Sequence, residues 1–204
     1  MFPTVIKEFL ANKKYKELKG LGRSGDSLYE VDDKYILKIS SEPHRLLKEK
    51  KINDYLSDKL PVAGSCFFIV VDNYAYYLKT KIEGEPLCSK KYLDNPDLVI
   101  KLLAEAVNMF HSLDISDCKL ESSKSIGDTF IHGDLCLPNI IVKDDKISGF
   151  IDLDCGGIGE KWQDYAWSIW SLEYNLGTNL YTQKYLDLIG VEFNKYAYDL
   201  FIEE

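Results

Sequence analysis

The sequence predicts an α+β fold with two lobes, a small antiparallel-sheet lobe with one helix followed by a mainly helical lobe. Two observations favour the first lobe: alternating segments rich in β-formers fill much of residues 1–82, and a break with a glycine and a proline, EGEP, follows them. The strongest periodic pattern beyond that break is helical. We therefore place the lobes at residues 1–82 and 83–204.

The first lobe has a local pattern for each of its elements. HRLLKEKKINDYLSDKL has apolar residues near helical spacing, and Pro61 is expected to stop the helix. KYILKIS alternates and should be one strand of a hairpin. The predicted order is a short helix, or a helix and the start of a strand, at 3–18, a glycine-bearing turn and strand at 21–31, a strand at 34–40, a helix at 44–60, and strands at 66–72 and 74–82.

The second lobe begins with the best helix pattern of the sequence, at residues 95–113. Asn95 is a suitable cap, Pro96 suits the first turn, and apolar residues repeat at intervals of three and four. The predicted order after it is a polar connection at 115–128, two strands in TFIHGDLCLPNIIV and KISGFIDLD joined across residues 143–145, and helical, aromatic-rich sequence from about Trp162.

Composition narrows the classes of partner. The net charge is −8, and residues 150–204 hold ten acidic and three basic side chains, which argues against a nucleic-acid binder. The longest apolar run, CFFIVV, is far shorter than the roughly 20 residues that cross a bilayer. Five scattered cysteines suggest a reducing cytosol. We expect a cytoplasmic monomer or weak dimer whose acidic C-terminal part is either solvated surface or an attractor for a cationic substrate.

HGDLCLPN, residues 132–139, is the segment that carries chemistry. By itself it fits a polar hairpin loop. However, Asp134 and Asn139 are five residues apart, as in the kinase loop H-R-D-x-x-x-x-N, where the Asp orients or deprotonates the acceptor hydroxyl and the Asn binds a metal ion. Asp152 follows thirteen residues later and supplies a second oxygen ligand of the type that Mg²⁺ prefers. His132 is expected to position the loop.

Two earlier features complete an order that phosphoryl transfer requires. The turn GLGRSGDS, residues 20–27, contains glycines that let backbone N–H groups approach phosphates closely. Lys38 lies in a predicted strand, and Glu49 on the next helix offers it a partner. A Lys–Glu pair of this kind holds nucleotide phosphates in protein kinases. Each feature alone has a simpler explanation, but their order predicts a phosphoryl-transfer loop.

Residues 132–169 resemble the aminoglycoside 3′-phosphotransferases, small bacterial antibiotic kinases with a protein-kinase-like fold. The likeness extends to KLPV at 59–62, EGEPLCS at 83–89 and FHSLDISDC at 110–118. The resemblance implies ATP and Mg²⁺ as cofactors. It also implies transfer of the γ-phosphate to a hydroxyl of a cationic aminosugar antibiotic, which confers antibiotic resistance.

The same resemblance implies a role for individual residues. Asp134 would be the catalytic base, and Asn139 and Asp152 the metal ligands. The nucleotide contacts would come from the Lys38–Glu49 pair, from Ser24 and Gly25 in the turn, and from a hinge at 79–82 that includes Thr80 and Ile82.

Three departures from the family pattern concern the rest of the site. Asp154 and Cys155 stand where the family has a glycine and an arginine, and Ile36 offers no aromatic ring to the adenine. Only 49 positions separate Glu83 from His132, too few for the helical insertion that supplies acidic drug contacts in the family. We therefore expect acceptor contacts from C-terminal carboxylates: Glu160, Asp164, Glu173, Glu203 and Glu204.

Alternatives remain open at this point. The shortened acceptor region suits a non-catalytic nucleotide-binding relative or a kinase for a different small-molecule acceptor. A small protein kinase is less favoured, because Gly133 replaces the usual arginine and no A-P-E-type segment follows Asp152.

Overall fold

The computed structural model describes residues 2–18 and 25–202, which form two compact units. The first unit extends to residue 57 and includes residues 63–81, whereas the second contains residues 58–62 and the chain from residue 82 onward. The division therefore differs from the predicted boundary at Ile82 and at 58–62. The short segment belongs to the second unit because the Pro61 carbonyl accepts the Phe150 N–H at 3.0 Å and Val62 forms a bridge to Phe150.

The first unit contains a five-stranded antiparallel sheet in the order β1-β2-β3-β5-β4. Its strands are β1 (Tyr15–Glu17), β2 (Ser27–Val31), β3 (Tyr35–Ser40), β4 (Ser65–Val71) and β5 (Tyr74–Thr80). The β4–β5 turn places Asp72 and Asn73 at positive φ, as a tight hairpin requires.

Two helices cover opposite faces of this sheet. Helix α1 (Thr4–Leu10) packs on a cluster that includes Tyr76 and Leu78 of β5, and helix α2 (Pro43–Leu56) packs through Leu46 on Ala75 and Tyr77 of the same strand. Successive residues of a strand point to opposite faces, so the two helices lie on different sides. Helix α2 ends four residues earlier than predicted, where the Ser57 hydroxyl bonds the Asp54 carbonyl.

The second unit has two small sheets. One pairs β7 (Thr129–Ile131) with β10 (Gly157–Gly159), and the other has the order β6-β8-β9, with β6 (Glu85–Pro86), β8 (Ile140–Lys143) and β9 (Lys146–Phe150). The predicted hairpin over the KDD turn is formed by β8 and β9, with Asp144 and Asp145 at positive φ. TFI, by contrast, leaves this hairpin and pairs with the unpredicted strand β10.

The helices of the second unit are α3 (Lys90–Leu93), α4 (Pro96–His111), α5 (Lys161–Leu176), α6 (Thr182–Ile189) and α7 (Lys195–Ile202). Helix α4 begins as predicted, because the Asn95 side chain accepts the Leu98 N–H at 3.3 Å. It packs against α5 and α6, and α5 packs against α7. Residues 112–128 contain turns and one bridge but no helix. Among the described residues, no helix is both long and apolar enough to cross a membrane.

Candidate active site

In the first unit, the structure brings Lys38 and Glu49 together. Lys38 on β3 is opposite Tyr77, on the face of the sheet that α2 covers, and Glu49 on α2 is fully buried. The Lys38 ammonium donates to Glu49 Oε2 at 2.9 Å. A buried lysine in the middle of an apolar strand therefore has a carboxylate partner, as the sequence predicts.

Lys79, which the sequence analysis assigned only to the adenine hinge at 79–82, lies in β5 and is a second lysine on the same carboxylate. Its ammonium bonds Glu49 Oε1, and its side chain is only 6% exposed. Burial would raise the pKa of Glu49, but the two lysines lower it to about 2. Lys79 lies two residues after Tyr77 and so shares its face, which is the pattern that indicates this contact.

Asp26 extends this group of buried charges. Both of its oxygens accept from Arg45 Nη2 at 2.6 Å, and its Oδ2 lies 3.5 Å from the Lys38 ammonium. Burial opposes ionisation of Asp26, yet the Ser40 hydrogen bond, Arg45 and Lys38 hold its pKa below the usual range. We call the set Lys79, Glu49, Lys38, Asp26 and Arg45 the ion-pair row. It fixes the Lys38 ammonium between two carboxylates.

The other predicted nucleotide contacts are described only in part. Ser24 lies outside the described residues. Gly25 has a φ of +72°, the left-handed region that favours glycine. The Thr80 N–H donates to the Gly64 carbonyl at 2.9 Å, and the Thr80 hydroxyl accepts the Gly64 N–H at 2.8 Å, so Thr80 is anchored within its own unit. Ile82 begins the second unit and is half-buried.

In the second unit, Asn139 clamps Asp134. Its Nδ2 donates to the Asp134 carbonyl at 2.9 Å and to Asp134 Oδ2 at 3.1 Å. Since the amide nitrogen serves both bonds, the Asn139 side-chain oxygen is the atom left to bind a ligand. The five-residue spacing read from the sequence thus corresponds to a direct side-chain contact, with Asp134 half-buried and Asn139 buried.

Asp152 follows directly on a residue that is bonded to this loop. The Ile151 N–H donates to the Asn139 carbonyl at 3.0 Å, and the Ile151 carbonyl accepts from His132 Nε2 at 3.0 Å. His132 Nδ1 accepts the Asp134 N–H at 3.3 Å, so the bonds fit a neutral ring protonated at Nε2. Asp152 itself adopts the left-handed conformation, with φ 57° and ψ 54°.

Asp164 on α5 holds the backbone of the 132–139 loop and does not face an acceptor. The side chain is fully buried, Oδ2 accepts the His132 N–H at 3.0 Å, and Oδ1 accepts the Gly133 N–H at 2.8 Å. His111 Nε2 also lies 3.1 Å from Oδ2. The prediction that Asp164 binds the acceptor is therefore wrong, because every contact of this carboxylate is with the protein's own loop and helix α4.

Gly133 allows the loop to approach Cys155 closely. It has a φ of +83°, and a Cβ built on it would collide with the Cys155 backbone. The Gln163 side chain donates to the Gly133 carbonyl at 2.6 Å, and the Ser122 hydroxyl donates to the Cys155 carbonyl at 3.2 Å. Although the arginine expected at Cys155 is absent, α5 supplies hydrogen bonds that hold the loop.

Glu160 and Glu173, the two other predicted acceptor carboxylates that the structure describes, lie far apart. Glu160 caps α5 by accepting the Trp162 N–H at 3.3 Å, and Glu173 accepts the Thr182 hydroxyl at 2.7 Å. They are thirteen residues apart along α5, which corresponds to about 20 Å at 1.5 Å per residue. Glu203 and Glu204 lie outside the described residues. Glu160, Asp164 and Glu173 therefore do not form the predicted acidic cluster, because Asp164 is buried and the other two lie near opposite ends of α5.

Comparison with known proteins identifies relatives of this chain. The family model described as "Phosphotransferase enzyme family" matches residues 124–190, which include the whole loop. The chain is 29% identical to a probable aminoglycoside 3′-phosphotransferase of Lactococcus lactis, with 93% of this chain and 88% of the relative covered. It is 30% identical to an aminoglycoside 3′-phosphotransferase of Enterococcus faecalis, with 77% of each chain covered.

Solved structures show the same fold. Aminoglycoside phosphotransferase APH(3″)-Id from Streptomyces rimosus superposes with a TM-score of 0.81 at 16% identity, covering 97% of this chain and 94% of that one. An aminoglycoside 3′-phosphotransferase of type VIII gives 0.79 at 15% identity and the same coverage.

The Enterococcus alignment runs over 205 positions yet uses 77% of the 204 residues here, so it opens gaps in this chain. With that identity over three quarters of both sequences, this chain belongs to the aminoglycoside phosphotransferase family.

Proposed function

We propose that this protein transfers the γ-phosphoryl group of ATP to a hydroxyl group of an aminoglycoside, and thereby confers antibiotic resistance. The observation that carries the proposal is the contact between Asn139 and Asp134, which fixes a carboxylate beside a free amide oxygen. Family membership supports it, because the relatives are named for this activity. One solved relative is described in complex with ADP and streptomycin.

Asp134 would orient the acceptor hydroxyl and take its proton as the phosphoryl group is transferred. Its Oδ2 already accepts from Asn139, and each carboxylate oxygen has two lone pairs, so acceptor capacity remains for the hydroxyl. The buried Asp164 carboxylate holds the loop backbone, because it accepts the two N–H groups that immediately precede that of Asp134 in the chain.

Asn139 and Asp152 would hold Mg²⁺ through the amide oxygen and the carboxylate. Oxygen ligands from one or two side chains, completed by phosphate and water, are the set that this ion prefers. No group of three or more His, Cys, Asp or Glu side chains suited to a metal occurs in the described parts of the chain. Bound there, the ion would neutralise phosphate charge.

The nucleotide contacts of the first lobe, residues 1–82, belong to the same proposal. Lys38, held by Glu49, would bind the phosphates, and the turn at Ser24 and Gly25 would offer backbone N–H groups. Thr80 and Ile82 would border the adenine. The second lobe, residues 83–204, would carry the reaction and the acceptor.

A second candidate function differs from the first in its acceptor. The predicted acidic cluster is not formed by Glu160, Asp164 and Glu173, and residues 112–128 contain no helix. A kinase for a different small cationic acceptor, or a nucleotide-binding relative without turnover, accounts for these two features. A cytosolic monomer or weak dimer without nucleic-acid or membrane partners completes the proposal, in keeping with five free cysteines.

The test is coupled ADP release with ATP and Mg²⁺ over a panel of aminoglycosides and other amino alcohols, with mass spectrometry of the product. Phosphorylation of an aminoglycoside supports the proposal, and phosphorylation of only another amino alcohol supports the second candidate. Binding of ATP–Mg²⁺, seen as a shift in unfolding temperature, without turnover across the panel would indicate a non-catalytic relative.

A further inference from the structure

Cys136 lies in the middle of the loop and touches both of its functional residues. Its N–H donates to the Asp134 carbonyl at 2.8 Å, and its carbonyl accepts the Asn139 N–H at 2.9 Å. Its Sγ lies 3.2 Å from Asp134 Oδ1, which is short for a hydrogen bond from sulfur, and 3.8 Å from the Trp167 carbonyl. The side chain therefore faces the carboxylate that the reaction would use.

The surroundings of the thiol favour its protonated form. Cys136 is 7% exposed, and burial, followed by the neighbouring Asp134 carboxylate, raises the pKa of the thiol far above its usual range. A protonated thiol is a donor, and the Asp134 Oδ1 oxygen is an acceptor within reach of it. The contact is thus S–H to carboxylate and not sulfur lone pair to carboxylate, which would be repulsive.

We propose that Cys136 is a positioning residue that donates its S–H to Oδ1 of Asp134. Asn139 holds Oδ2 from the other side, so the two donors together fix the rotation of the carboxylate. A carboxylate with a fixed orientation meets the acceptor hydroxyl at one angle, and geometric positioning of this kind is a major source of rate. The effect on rate rests on the proposed phosphoryl transfer, but the hydrogen bond does not.

Infrared spectroscopy tests the bond directly. The S–H stretching band of Cys136 is isolated by subtracting the spectrum of Cys136→Ser from that of the wild type. The same subtraction in an Asp134→Ala background removes the carboxylate. We expect the band at a lower wavenumber when Asp134 is present, because hydrogen bonding weakens the S–H bond. An S–H band that does not move when Asp134 is replaced overturns the proposal.

Kinetics test the positioning role with two variants of nearly equal size. Cys136→Ala removes the donor, and we expect kcat to fall about fivefold, the size of one modest hydrogen bond, with the KM for ATP unchanged. Cys136→Ser retains a donor and should recover most of the loss. Cys88→Ala, which removes a half-buried thiol elsewhere in the second unit, is the control and should leave kcat unchanged.

The outcomes separate this proposal from the proposed function. Equal losses in the Ala and Ser variants, or no loss in either, would overturn the positioning role. If the wild type phosphorylates no acceptor, the proposed function fails, and the infrared comparison still decides whether Cys136 holds Asp134.

Discussion

The two units hold their functional residues by different physical means. In the first, the ion-pair row buries charges of both signs, with Glu49 between Lys38 and Lys79. In the second, a single buried carboxylate, Asp164, binds mainly neutral backbone N–H groups. Charges buried in pairs depend on one another, because removing one leaves its partner desolvated and unpaired. A carboxylate satisfied by backbone donors instead fixes local geometry, so damage there should appear in turnover as well as in stability.

Asp134→Ala should have the largest effect and should act on turnover alone. A positioned base contributes about 10²–10⁴-fold to rate, so kcat should fall by that factor. Nucleotide binding should persist, because the predicted phosphate contacts of Lys38 are untouched. Coupled ADP release and titration with ATP–Mg²⁺ measure the two quantities. Wild-type turnover in this variant would remove Asp134 from the mechanism.

Glu49→Gln should destabilise the first unit. Two buried lysines lose their shared counter-charge, and we expect the free energy of unfolding to fall by about 3–5 kcal/mol in urea denaturation. Asp54→Asn is a matched control on the same helix, because Asp54 pairs with Lys50 near the surface. That change should cost less than about 1 kcal/mol. Similar losses in both variants would show that burial of the row is unimportant.

Asp164→Asn should lower both stability and turnover, whereas Glu49→Gln is expected to act on stability. The amide keeps one acceptor oxygen but presents N–H groups to a backbone donor, so one buried N–H loses its partner at about 1–3 kcal/mol. We expect kcat to fall as well, because the affected N–H groups adjoin Asp134 in the chain. Asp187→Asn, an exposed change on α6, is the control. A loss of stability with unchanged kcat would show that Asp164 does not position the loop.

Acid should weaken the ion-pair row through Glu49. The pKa of Glu49 is lowered from 4.5 to about 2 by the lysines, so its stabilisation is fully present above pH 4.5 and is lost as pH falls toward 2. The difference in unfolding free energy between wild type and Glu49→Gln should therefore narrow as pH is lowered through this window. Urea denaturation at a series of pH values measures it. A constant difference would contradict the low pKa of Glu49.

Asn95→Ala should have the smallest effect, because Asn95 belongs neither to the ion-pair row nor to the contacts between Asp164 and the loop. It removes the side-chain cap of α4, which costs about 1 kcal/mol of stability. Turnover measured under conditions in which the variant is folded should equal that of the wild type. A marked loss of kcat would mean that the second unit transmits small changes in stability to the loop.

The local features of this protein could be predicted from its sequence. Lys38 lies in an alternating strand, Glu49 on a helix, and Asp134 and Asn139 five residues apart, and the structure contains each of these. Such features depend on the periodicity of secondary structure and on short separations between residues along the chain, and both can be read from the sequence. The family resemblance rested on the same local motifs.

The contacts between residues far apart in the chain are visible only in the folded protein. Lys79 joins Glu49 across 30 residues, and Asp164 binds the loop across about the same separation. Acidic residues that looked alike in sequence were separated into a buried support, Asp164, and the two ends of a helix, Glu160 and Glu173. The physical reason is that burial and long-range pairing depend on how strands and helices pack. The residue type of a charged side chain does not show whether that side chain faces water or the core.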